Sequence, residues 1–172
     1  MIFTTHAIVG AAVANMLPSH PVIGFVAGFT SHFLLDAIPH WDYDLRSTEE
    51  DVDNFLDKKI TLNKNFLFDL IKMGADSILG ITMALLLFGF PNPDLSSILN
   101  STIIWGSIGA LAPDALQFVY FVWKHEPMTT LQKFHTVWVH TKIRLRNRPL
   151  LGISLQLILI VAVVAISKLI FT

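Results

Sequence analysis

The chain has 172 residues, of which 53% are hydrophobic and 15% charged, and its mean hydropathy is +0.59; soluble domains run nearer about 45–50% apolar and about 25% charged, so a soluble binding module is excluded. Its 12 basic and 13 acidic residues nearly cancel, which removes the electrostatic footprint of a nucleic-acid binder. No cysteine is present, which excludes disulfides, thiolate metal sites and a cysteine nucleophile.

One integral membrane domain over 1–172 is the expectation, an all-α polytopic bundle of about five hydrophobic segments. Crossing a bilayer by helix takes about 20 mostly apolar residues. The segments, in chain order, are 2–17, 22–38, 66–90, 97–123 and 150–171. The first is short for a span and reads as an oblique crossing or as one arm of a re-entrant hairpin with the second; the other four read as good spans. No basic region precedes the first apolar stretch, so a cleavable signal peptide is not expected. Gly24 and Gly28 form a GxxxG pair suited to close helix packing.

Two long connections, 41–65 and 124–149, hold or adjoin eleven of the twelve Lys and Arg residues. Positive residues stay on the cytoplasmic side, so both connections are expected there, with the amino terminus inside. Trp41, Trp123 and Trp138 then fall at the cytoplasmic interface. The first connection carries an acidic stretch, 42–57, read as a solvated loop with a short surface helix. Within the second, Val137 to Arg146 alternates apolar and polar residues while Leu131, Phe134 and Trp138 keep helical spacing, which suggests an interfacial helix that becomes extended. Arg144, Arg146 and Arg148 suit orientation and lipid head-group contact.

Ionisable groups in membrane segments are expensive and usually pair or function. Here they are His32, Asp36, Asp69, Asp76 and Asp114, with His6, His40 and His135 at or near segment ends. The topology set by Lys and Arg alone places His32, Asp36, Asp69, Asp76 and Asp114 in the cytoplasmic halves of their segments, a convergence that independent charges need not show. His32 and Asp36 are four apart and share a helical face; Asp69 and Asp76 share another. His40 would continue the first stripe, but Pro39 interrupts the helix and puts it at the rim. Pro113 frees backbone polar groups beside Asp114 that a buried site can use.

Imidazole nitrogens with carboxylate oxygens suit zinc, manganese or iron(II), and three protein ligands plus a water is the pattern of catalytic zinc. The candidate metal ligands are His6, His32, Asp36, Asp114 and His135, with Asp76 or Asp36 as general base; Asp42 and Asp44 after His40 are weaker candidates for a second metal position. No phosphate loop, GxSxG elbow or HExxH is present. A site at this depth favours a lipid or lipid-like phosphoester, with membrane lipid as the other partner; a homo-oligomer is compatible with the sequence. Two further classes stay open: an ion- or proton-coupled transporter using the same His/Asp set, and a non-enzymatic adaptor docking through loop charges.

ThrHis at 5–6, SHFLLDAIPHWD at 31–42, GALAPD at 109–114 and the later His135 together resemble the YdjM-like, LexA-regulated family of small inner-membrane proteins described as metal-dependent hydrolases. The resemblance spans residue 5 to about residue 140. It implies a membrane-embedded, zinc-dependent hydrolase, with His6, His32, Asp36 and Asp114 at the matching positions.

Overall fold

The computed structural model describes residues 1–49, 56, 59–89, 94–143 and 145–170. Arg144, Phe171 at the end of the fifth segment, Lys58 and part of the acidic stretch, including Glu50, Asp51, Asp53 and Asp57, lie outside the described residues. The elements are helices α1 (Phe3–Asn15), α2 (Pro21–Asp36), α3 (Lys64–Phe88), α4 (Leu95–Leu99), α5 (Thr102–Val122), α6 (Met128–Lys133) and α7 (Pro149–Ile170), with a π-helical turn, Phe134–Val139, continuing α6. The described residues add only a two-residue antiparallel pairing, Thr48 with Ile60 and Glu49 with Lys59.

Three helices, α3, α5 and α7, are long and apolar enough to cross a membrane. Of the four spans expected, α2 is the shorter one, at 16 residues. Pro21 fixes its first turn, where the His20 side chain accepts from the Val22 amide, and Pro39 prevents it from continuing. The expected fourth segment is divided. Asp94 caps α4 and Ser101 caps α5, each accepting a backbone amide of the following turn, so the chain breaks between them rather than running on as one helix.

α1 is the centre of the bundle and packs on α2, α3, α5 and α7. At 13 residues it is about 20 Å long, and Ala7, Ile8, Val9, Ala11, Ala12 and Ala14 are all buried. Small residues permit this. A Cβ on Gly10 would collide with Ala110, and one on Gly28 would be driven into the Gly106 carbonyl, so α1, α2 and α5 touch backbone to backbone. Polar clamps complete the packing: Ser107 Oγ donates to the Ala7 carbonyl at 3.0 Å. Gln156 of α7 accepts from Thr5 Oγ1 at 3.0 Å and donates to the Trp41 carbonyl at 2.8 Å.

The outer faces are apolar. α3 exposes Leu67, Phe68, Leu70, Ile71, Ile78, Leu79 and Leu86; α7 exposes Leu150, Leu157, Ile158, Val161, Leu169 and Ile170. Soluble monomers rarely leave apolar patches of that extent uncovered, and a hydrocarbon solvent removes the penalty. The polar residues are instead inside: His6, His32, Asp36 and His135 are among the most completely buried side chains.

Candidate metal centre

Asp36, the last residue of α2, is the hub. His6 Nε2 stands 3.2 Å from its Oδ1; His32 Nε2 and His135 Nε2 stand 3.2 and 2.8 Å from its Oδ2. Asp114 Oδ1 is 3.7 Å from His32 Nε2, and the two nitrogens of His32 and His135 are 3.1 Å apart. The α-helical spacing of four brings His32 and Asp36 together. Asp114 arrives from α5, and His135 from the π-helical turn. His40 and His140 approach from outside, each with Nε2 at 4.0 Å from Asp36. The amino group of Met1 lies 3.4 Å from Asp36 Oδ1.

The hydrogen bonds at the far side of each ring fix which nitrogen carries the proton when the ring is neutral. A carbonyl only accepts, so His32 donates from Nδ1 to Ala110 at 2.7 Å, His40 to Ile38 at 2.7 Å and His140 to Thr141 at 3.1 Å. The Ala110 carbonyl lies in the turn of α5 before Pro113, where the sequence placed backbone polarity for a buried site to use. A neutral ring fixed this way presents its Nε2 lone pair to the carboxylate. Burial keeps the two loop histidines neutral: it pushes the His40 imidazole down to about 4 and lowers that of His140 below its ordinary value. Lone pairs converging on carboxylate oxygens repel one another unless a cation lies between them, and both ring nitrogens of buried His6 lack a hydrogen-bond partner.

One atom from each of His32, Asp36, Asp114 and His135 falls within 4.8 Å of all the others. Zinc ligands at about 2.0–2.2 Å from the ion stand about 3.4 Å from one another in a tetrahedron, and the separations just given lie on either side of that value. The residues therefore fit a divalent metal. His32, Asp36 and Asp114 present acceptors directly. His135 is pinned the other way: Gln117 Nε2 donates to its Nδ1 at 3.2 Å and to Asp114 Oδ1 at 2.8 Å. The neutral ring thus carries its proton on Nε2 and donates to Asp36. Ligation through that nitrogen requires the Gln117 amide to turn.

The sequence-derived candidates separate into three. His32, Asp36, Asp114 and His135 meet in one group. His6 joins from the side, stacked on His32 with ring centroids 4.0 Å apart. Asp76 stands apart from that group and is occupied by α1, accepting the amides of Phe3 at 2.7 Å and Thr4 at 3.2 Å and the Thr4 hydroxyl. It satisfies donors that the start of a helix leaves open, and Tyr43 also reaches it, at 3.3 Å. Asp69 holds the Ser47 amide and hydroxyl, at 2.8 and 2.7 Å. Gln117 and Gln132, linked to each other at 3.3 Å, were not singled out in the sequence. The spacing of Gln117, three after Asp114 on one helix face, was the signal that could have found it.

A cavity of about 770 Å³ opens beside the group. Asp36, Asp114, His40 and His140 line it together with the apolar Phe3, Met73, Phe118 and Phe121, and Lys142 and Arg146 lie on its lining as well. Residues of both long connections line it, and Arg146 of the second pairs with Asp44 of the first at 2.7 Å, so the two connections meet beside the cavity. Compared with protein-family models, curated proteins and solved structures, the chain matches none.

Proposed function

We propose that the protein is a membrane-embedded metal-dependent hydrolase of the YdjM-like family, acting at the cytoplasmic face of a prokaryotic inner membrane on a lipid-like phosphoester. In this reading all five apolar segments lie in the bilayer and the first enters from the cytoplasm; the support is the Lys and Arg distribution along the two connections that cover the cavity. The observation that carries the chemistry is the convergence of ligating atoms from His32, Asp36, Asp114 and His135, of which Asp36 and Asp114 line that cavity.

A divalent ion bound there, zinc or else manganese or iron(II), supplies Lewis acidity and lowers the pKa of water. The rest belongs to the chain. The cavity's apolar side chains take acyl chains, and Lys142 with Arg146, itself 2.7 Å from Asp44, draws the phosphate end inward. Ala110 and Gln117 hold His32 and Asp114 in orientation from behind. Asp114 is the less buried of the two carboxylates in the group and lines the cavity, so the ion it would help to hold faces an entering water; Asp76, engaged with α1, is not placed to serve as the base. The test is turnover of lipid phosphoesters by detergent-purified protein supplied with each ion. Hydrolysis by the wild type that disappears in His32→Ala supports the reading. Transport of ions across liposomes without hydrolysis would replace it with the carrier reading.

A further inference from the structure

We infer that the protein binds a second divalent cation, held by His40, His140 and Asp36, so that the Asp36 carboxylate is shared between two metal positions. This rests on the reading of a first metal at His32, Asp36 and Asp114 and extends it from one ion to a pair.

Three independent features carry it. One ligating atom from each of Asp36, His40 and His140 lies within 4.8 Å of the others, a group separate from the first except for its carboxylate. Asp36 reaches both groups: Oδ2 is nearest His32 and His135 and lies 4.0 Å from His140, while Oδ1 is 4.0 Å from His40. Both outer rings are fixed by Nδ1 donation to backbone carbonyls, the usual outer support of a histidine that ligates through Nε2. A ring held only by packing would not need that tautomer.

The backbone is shaped for the purpose. His135 and His140 are five residues apart, which on an α-helix puts them about 140° apart. The π-helical turn closes with the His140 amide on the His135 carbonyl at 2.9 Å, and this wider turn brings both rings to one side, with centroids 6.2 Å apart. Pro39 has the matching effect on the other strand of chain. It ends α2, and the turn that follows folds His40 back until its ring is 5.0 Å from that of His140. The position lines the cavity, leaving open coordination sites for water and for a substrate oxygen, as paired-metal hydrolytic centres require.

The experiment is metal stoichiometry and Mn2+ electron paramagnetic resonance on the full chain in detergent, loaded with Mn2+ and freed of excess. About two ions per chain with an exchange-coupled signal is the expected result. His40→Ala and His140→Ala should each fall to about one ion with an uncoupled six-line spectrum, and His40→Gln, which keeps the volume, should do the same if His40→Ala is poorly folded. One ion per chain in the wild type, unchanged by these substitutions, overturns the second position and leaves the first standing. No bound ion in folded wild-type protein overturns both.

Discussion

α1 and α7 are both apolar helices, yet they occupy opposite environments. α1 is short, rich in Ala and Gly, and buried on every side; α7 is long, rich in Leu and Ile, and exposed along most of its length. Small side chains let α1 approach its neighbours closely enough that polar atoms can be satisfied from several helices at once, which is where His6 and Thr5 sit. Large side chains give α7 an apolar outer surface, and two polar residues, Gln156 and Ser167, turn inward. Apolar composition therefore marks membrane segments, while residue size separates the helix that builds the site from the one that shields it.

The contrast is broken most severely at the glycines. Gly28→Val drives side-chain atoms into α5 backbone, and because backbone cannot step aside the cost should exceed about 3 kcal/mol; no monodisperse peak is expected on size exclusion. Gly74→Ala on α3, where a Cβ meets nothing, should elute and melt like the wild type. Leu157→Arg on the exposed face of α7 should lower insertion efficiency, at a cost of about 2.5–3.5 kcal/mol at a span centre, measurable by glycosylation mapping. Gln156→Leu removes the bonds to Thr5 and the Trp41 carbonyl, and should lower stability by about 0.6–2 kcal/mol without altering insertion.

A further effect concerns pH. The folded pKa of His40, about 4, lies below the ordinary value of 6.5, so the fold favours the neutral ring. Its stabilising contribution is full above pH 6.5 and is lost as pH falls through about 4, and His140 shifts in the same direction. Metal-free protein should therefore melt lower at pH 4.5 than at pH 7.5, and His40→Gln should flatten that decline.

Much of this was legible in the chain. Long apolar runs located the five longer helices, and the shared face of His32 and Asp36, with Asp114 beside Pro113, pointed to the group the structure assembles. What stayed hidden depends on tertiary or non-standard backbone geometry. Spacing rules for an α-helix separate His135 from His140, and only the π-helical turn unites them. Pro39 signals the end of a helix but not the direction of the turn after it, so His40 read as a rim residue. Asp76 looked like a buried acid awaiting a role because a helix start 73 residues earlier in the chain cannot be paired with it from sequence. Gln156 sat unremarked in the most apolar helix.

The central claim is that His32, Asp36 and Asp114 hold a metal. It is tested most directly by elemental analysis of protein purified in detergent without chelator, alongside His32→Ala and Asp114→Ala. Near-stoichiometric zinc, manganese or iron in the wild type, lost in both variants while their melting curves still show folded protein, is the predicted result. Folded wild-type protein that carries none of these ions, as purified and after incubation with each, would contradict it.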